Sequence, residues 1–366
     1  MPLLRLPFPS LVSLHAEFLN PPLFHNSFKS FPSFSPNISL SILIIGGGAI
    51  TTIDPNHFRG WQNLTSVNCR SIALDANTLA HLSRMPALTL LDFSLNTTLP
   101  VSDAPLFFSA LDSLRLHSET WEPISQLLSR TRVPVVTSFD VSVRDNPSRQ
   151  SLRAFLASAS SAVGRTVKYF TMDLWKPRAT DVRSEALFLC LEDVQSFMAF
   201  NNLRHLEIGV EWSVGLTDAE LLTLASAWPY LEQLEINRSY GWNTRGGITP
   251  NGLVQLLHTC RLLHHLCLAV DTRGYTELEL PASGALTSLE SRSCPFSFLN
   301  ALDSIIEEVS VPAIAAFFAT IPRSSDFIVW GWGTIRALSA HPDYQVYFDR
   351  WEEVHRRILD MDRLRS

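Results

Sequence analysis

Two stretches of the chain align without a gap at an offset of 32 residues: LTDAELLTLASAWPYLEQLEI, Leu216 to Ile236, and ITPNGLVQLLHTCRLLHHLCL, Ile248 to Leu268. Apolar positions coincide along both: Leu216 with Ile248, Leu221 with Leu253, Leu224 with Leu256, Trp228 with Cys260, and Leu231, Leu234 and Ile236 with Leu263, Leu266 and Leu268. Self-similarity at a fixed offset constrains a fold strongly. It means that one supersecondary unit recurs, and a unit of this size cannot bury its apolar face alone, so successive copies must stack.

The second half of the unit reads LxxLxL. The fourth and sixth positions alternate with residues of the opposite face, as a short strand requires. The pattern begins again at Leu88, Leu111, Val136, Val167, Leu203, Leu231, Leu263 and Leu286, at steps of 23, 25, 31, 36, 28, 32 and 23 residues. Leu11-Leu14-Ala16 and Leu64-Val67 are worn copies nearer the N-terminus, and the copy at Leu286-Leu289 is degenerate. Steps beyond the 20–29 residues usual for leucine-rich repeats imply loop insertions of varying length within one repeat architecture.

The first half of the unit reads as a helix. Thr217 and Glu220 have the spacing of a capping box, and Thr249 followed by Pro250 reads as an N-cap with proline at the first helical position. Leu221, Leu224 and Ala225, and again Leu253, Leu256 and Leu257, keep the i, i+3, i+4 spacing of a buried face. The expected fold is an α/β leucine-rich-repeat solenoid, a horseshoe with a concave parallel β-sheet and outer helices. Repeat arrays need closed ends. Trp351, Val354, His355, Ile358 and Leu359 form an amphipathic stripe, so a capping helix is expected over 351–364. The expected organisation is a repeat domain over 58–366. Residues 1–57 are a poorly assigned segment with a degenerate repeat and a Pro/Ser/Phe-rich loop.

Composition supports a large core: 46% hydrophobic and 17% charged residues, with mean hydropathy +0.11. A net charge of −6 gives no basic stripe, so nucleic acid is not an expected partner. The longest apolar run near the N-terminus, Ile42 to Ile45, is far short of a membrane span, and Pro2, Pro7 and Pro9 interrupt any signal-peptide layout. Five cysteines at 69, 190, 260, 267 and 294 show no CxxC and no zinc spacing. An intracellular location, cytoplasmic or nuclear, fits that usage.

No catalytic, cofactor-binding or metal-binding pattern stands out. Gly46-Gly47-Gly48 follows an apolar run but is not GxGxxG, and no GxxxxGK[ST], HExxH or GxSxG occurs. His264 and His265 are neighbours on one strand and point to opposite faces, so they do not share a metal. The residues at the fifth position of LxxLxL form a more informative series: Asp92, Arg115, Asp140, Thr171, Glu207, Glu235, Cys267 and Glu290. On parallel strands about 4.8 Å apart such residues stack side by side, and like charges in a ladder destabilise it. A protein substrate with a basic segment would explain their presence on the concave face; a solvated surface is the alternative. The glycine-bearing loop NRSYGWNTRGG, Asn237 to Gly247, offers Tyr240, Trp242 and Arg245 as rim contacts of the types common at binding hot spots. Packing of Tyr240 and Trp242 against the solenoid edge is the alternative there.

The two aligned units resemble the cysteine-containing type of leucine-rich repeat, roughly ITDxGLxxLAxxCPxLxxLxL. Cys260 stands at the family's cysteine position, and Trp228 and Met85 replace it in two other copies. Together with WQNLTSV from Trp61, VPAIAAFFATIP and WEEVHRRIL, they make residues 58 to 366 resemble F-box/leucine-rich-repeat proteins of basidiomycete fungi. The resemblance implies a protein-interaction scaffold that recognises substrates for a Skp–cullin–F-box ubiquitin ligase and does no chemistry itself. The F-box is not found. Its best candidate, LPFPSLVSLHAEFL (Leu6 to Leu19), has Pro9 where a helix would run, so a Skp-type adaptor is an expected partner only if an F-box lies upstream. A stand-alone repeat scaffold is the first alternative, and an enzyme with a site in residues 1–57 the second.

Overall fold

The computed structural model describes residues 13–17, 42–46, 63–95, 105–175, 188–242, 247–275, 295–333 and 341–365. The chain divides into two compact units. Unit 1 takes Met1–Tyr169 with Leu174–Lys176, and unit 2 takes Phe170–Asp173 with Pro177–Ser366.

In unit 1 the elements run β1 (Ser13–Glu17), β2 (Ile42–Gly46), β3 (Ser66–Ala73), α1 (Ala76–Leu82), β4 (Leu90–Leu95), β5 (Leu106–Phe107), β6 (Ser113–Ser118), α2 (Trp121–Arg130), β7 (Thr131–Arg132), β8 (Ser138–Val143) and α3 (Arg149–Ala162). The long strands lie in the order β1-β2-β3-β4-β6-β8, every neighbour parallel. The residues expected to face inward do so: Val67, Leu91, Phe93, Leu114, Leu116, Phe139 and Val141 are buried. Helices α2 and α3 close over them. The Trp121 ring meets Phe155 edge-on at 5.1 Å and its indole N–H donates to the carbonyl of Asp145.

Strand β2 is an addition to the sequence reading. Its register places Leu43 opposite Leu14 and Val67, so Leu40, Leu43 and Ile45 continue the LxxLxL spacing between the two worn copies. Serines at 39 and 41 and the prolines before them hid it.

Unit 2 continues with β9 (Tyr169–Leu174, of which Phe170–Asp173 belong here), β10 (Phe188–Leu189), α4 (Leu191–Val194), β11 (His205–Ile208), β12 (Ser213–Val214), α5 (Asp218–Ala225), β13 (Gln233–Ile236), α6 (Pro250–Thr259), β14 (His265–Cys267), β15 (Phe296–Asn300), α7 (Val311–Thr320), β16 (Arg323–Trp330) and α8 (Tyr344–Arg365). Its long strands follow one another as β9-β11-β13-β14-β15-β16. The two aligned units form the helices and strands expected of them. Thr217 and Glu220 make the reciprocal capping box, and Thr249 caps α6 through the N–H of Gly252. Cys260, at the end of α6, is fully buried and directs its thiol to the carbonyls of Ala225 and Trp228. Trp228, one repeat earlier, does the same with its indole N–H, which donates to Phe197. The two residues are interchangeable because each brings a donor to the preceding repeat from inside the core.

Both units carry the same hydrogen-bond signature. The carbonyl of the second residue in LxxLxL accepts two N–H groups of the next copy. Thr89 takes Asp112 and Ser113, Asp112 takes Thr137 and Ser138, Arg204 takes Glu232 and Gln233, and Glu232 takes His264 and His265. His264 in turn takes Ser297 and Phe298. The copy that follows β14 therefore begins at Phe296, with Leu299 and Ala301 buried, and not at Leu286. Leu286 and Leu289 lie outside the described residues.

Helix α8 begins before the stripe from which it was expected. Trp351, Val354 and Ile358 are buried, and the Trp351 indole donates to Ser304. Arg323 Nη2 donates to Asp362, joining β16 to the end of α8. Among the described residues no helix is long and apolar enough to cross a membrane.

Candidate functional site

Strand alternation leaves the third and fifth positions of each LxxLxL on the sheet face away from the leucine core. In unit 1 the fifth positions Asp92, Arg115 and Asp140 stand in direct register on β4, β6 and β8. Asp92 is only 4% exposed, because His117, two residues beyond Arg115, covers it with Nε2 2.9 Å from Oδ1. Arg115 Nε donates to Asp140 Oδ2 at 3.1 Å. The like-charge cost expected of the column is relieved here, since both carboxylates meet a basic neighbour on the same face.

In unit 2 the register runs Glu207, Glu235, Cys267, Asn300, Trp330. The place expected for Glu290, which lies outside the described residues, is taken by Asn300. Glu235 is 3% exposed. Its Oε1 lies 3.0 Å from His265 Nε2, and its Oε2 accepts from Arg238 at 3.1 Å. Burial pushes its carboxyl up, but the His265 and Arg238 contacts outweigh burial and hold it below the ordinary carboxylate value. Burial likewise pushes the Cys267 thiol up, and the Glu235 charge adds to it. Glu235 is therefore packed among its neighbours and is not presented to an incoming protein.

Glu207 is half-buried and more accessible, with His205 Nε2 3.8 Å from its Oε2. Its carboxylate is the main reason that the His205 imidazole is held above its ordinary value against the effect of burial, with Glu235 and Gln233 adding to it. Asp173 reaches the same side of the sheet across Gly209, where a Cβ would meet Asp173 Oδ1 at 2.3 Å. The Tyr240 phenol is pushed up by burial and then by the charges of Asp173 and Glu211.

The described part of the loop expected to form a rim, Asn237 to Trp242, packs inward. Tyr240 is 7% exposed and Trp242 fully buried. Asn237 turns the chain at φ 56°, accepts from Val210 N–H and donates to the Trp212 carbonyl. The Trp242 indole donates to Ile236, and its backbone N–H donates to the Asp303 carboxylate at 2.7 Å. Two large rings beside a solenoid edge gain more from burial than from water, at about 25 cal/mol per Å² of apolar surface. Arg245 lies outside the described residues.

Sequence reasoning missed an aromatic row at the end of the unit 2 sheet. The His265 ring stacks on Phe298 at 4.3 Å and 15°, and Phe298 meets Trp330 at 6.2 Å and 67°. Ile328 stands beside Phe298 in register, and Trp330 is 45% exposed. Placing a strand copy at Leu286 concealed Phe298. Once Phe296 is the first position, Phe298 and Asn300 follow as outward residues, and Trp330 falls opposite Asn300.

No protein-family model matches the chain, and no curated protein matches it. Among solved structures, an internalin (InlF) from Listeria monocytogenes is similar at 14% identity over 91% of this chain and 85% of that one, with a TM-score of 0.39. The leucine-rich repeat-containing protein LegL7 from Legionella pneumophila is similar at 13% identity over 92% of this chain and 97% of its own, with a TM-score of 0.34. The repeat architecture stands on the register, burial and hydrogen bonding within each unit.

Proposed function

We propose that the chain is a protein-interaction scaffold, and that the sheet face of unit 2 receives a partner segment with one basic and one large apolar side chain. The observation that carries this reading is Trp330, a large aromatic left half exposed on a sheet face beside Phe298 and Ile328. Aromatic residues of this kind dominate binding energy when a partner desolvates them. Glu207, with Asp173 beside Gly209, supplies the negative end, and the net charge of −6 favours the same partner. Four strand steps separate Glu207 from Trp330, about 19 Å at the usual spacing, which an extended segment covers in about six residues. The acidic residues of unit 1 have a lesser place in this reading, because Asp92 and Asp140 already meet His117 and Arg115.

Selection from a displayed peptide library on the immobilised chain tests it. Enriched peptides should place Lys or Arg about six residues from Trp, Phe or Leu, and should be lost on Glu207→Lys and on Trp330→Ala. Enrichment that survives both substitutions would overturn the assignment of the face.

The resemblance to F-box/leucine-rich-repeat proteins supports a more specific form, in which the captured protein is the substrate of a Skp–cullin–F-box ligase. Co-purification of the full chain with a recombinant Skp-type adaptor is the test. Peptide binding by a chain that does not retain the adaptor would favour the stand-alone scaffold.

A further inference from the structure

We propose that Glu235, His265 and Cys267 form a binding site for a zinc-class divalent metal ion on the sheet face of unit 2. His265 and Cys267 are two residues apart on β14 and so share a face, and Glu235 is the register neighbour of Cys267 on β13. Glu235 Oε1 and His265 Nε2 lie 3.0 Å apart, His265 Nε2 and Cys267 Sγ 3.7 Å apart, and all three ligand atoms fall within 4.8 Å of one another. Zinc–ligand lengths of about 2.0–2.3 Å put the corners of a tetrahedral site about 3.3–3.7 Å apart. The side chains need to move by less than the width of an atom to receive the ion.

The surroundings do what a second layer of a metal site does. Phe298 stacks on the imidazole and fixes its plane, while Arg238 holds Oε2 of Glu235 so that Oε1 points at His265. One sulfur, one nitrogen and one carboxylate oxygen favour zinc over magnesium or calcium, which take oxygen ligands. Three protein ligands leave the fourth position to water. Binding replaces the Cys267 S–H bond with a sulfur–metal bond, and the proton leaves to the buffer. The charges close sensibly: a dication meets the thiolate and Glu235, with Arg238 and Glu207 offsetting each other outside them. Because the thiol gives up its proton on binding, metal uptake depends on pH. Sequence spacing could not show this, since Glu235 lies 30 residues before His265.

The site is independent of the partner-binding reading, and its test needs no partner. Chelator-treated full chain is titrated with Co²⁺ and then Zn²⁺. One equivalent of Co²⁺ should give a near-ultraviolet thiolate-to-cobalt band and visible bands of tetrahedral cobalt, which one equivalent of Zn²⁺ abolishes. Cys267→Ser should lose the near-ultraviolet band, His265→Ala should weaken Co²⁺ binding at least tenfold, and Cys190→Ser should keep both. For the wild type, X-ray absorption of the zinc form should show one sulfur at about 2.3 Å with lighter ligands at about 2.0–2.1 Å, a result that does not depend on any variant folding. A folded wild-type chain that takes up neither metal, a band that survives Cys267→Ser, or a zinc spectrum without sulfur would each overturn the site.

Discussion

Unit 1 and unit 2 use the same strand pattern and hydrogen-bond signature, and differ in how they treat the face that points away from the core. In unit 1 the strands β4, β6 and β8 are each six residues long. Their outward carboxylates are engaged locally, Asp92 by His117 and Asp140 by Arg115. In unit 2 the strands β11, β13 and β14 shorten to four, four and three residues. Longer loops follow them, with Trp212 and Trp242 buried beneath, and the outward face gathers carboxylates, two histidines, a thiol and an aromatic row. Short strands leave less of each repeat committed to sheet pairing. The loops then supply the core, and the face is available for chemistry or recognition.

The largest effect that would break this comparison is loss of the loop-borne core. Trp242→Ala should cost unit 2 about 3–5 kcal/mol, and Phe155→Ala should cost unit 1 a similar amount. Urea unfolding followed by hydrogen exchange should show each substitution lowering protection in its own unit. Equal loss in both units from either variant would mean that they are one cooperative body. A smaller effect is expected at Gly252, where a Cβ would stand 1.8 Å from Asp218 Oδ1, the same carboxylate that accepts from Thr249 N–H. Gly252→Ala should destabilise unit 2 by about 1–3 kcal/mol through overpacking. A neutral result in thermal unfolding would show that Asp218 is not needed where it sits.

Much of the repeat core was legible. The positions of Leu221, Leu253, Leu234 and Leu266, the capping box at Thr217 and the helix start at Thr249 follow from local spacing and cap chemistry, which act within a few residues. What escaped depends on contacts distant in sequence. Phe298 and Trp330 could not be placed while the copy after β14 was set at Leu286, because a loop of unknown length separates the two choices. The burial of Trp242 rests on Asp303, 61 residues away. The acidic series was read as a register column, which holds from Asp92 to Asp140 and from Glu207 to Cys267 but not at Glu290, and the contacts of His117 with Asp92 and of His265 with Glu235 depend on side chains that cross between repeats.

Smaller measurements sharpen the contrast between the two faces. Arg115 is about half exposed, so Arg115→Ala should change the stability of unit 1 by only about 0.2–1 kcal/mol, and less in high salt. A larger cost in chemical denaturation would mean that the unit 1 face is more tightly organised than its exposure indicates. The smallest effect is a change of slope in unit 2. Glu207, with Glu235 and Gln233 also facing it, raises the His205 imidazole above 6.5, so its protonated form is favoured by folding. That contribution is fully present below pH 6.5 and is lost as pH rises through the higher folded value. With chelator present, unfolding free energy measured from pH 6 to 8 should fall more steeply in the wild type than in His205→Gln. Identical slopes would remove His205 from the account.

The paired N–H groups on one carbonyl per repeat have a consequence for how such a chain changes over time. Thr89, Asp112, Arg204, Glu232 and His264 each reset the alignment of the next strand, whatever length of chain intervenes. Residues gained or lost between strands are therefore absorbed where they occur and never propagate down the sheet. An array built this way can drift in length at every junction, acquire new loops for new tasks, and still keep each outward side chain opposite its neighbour.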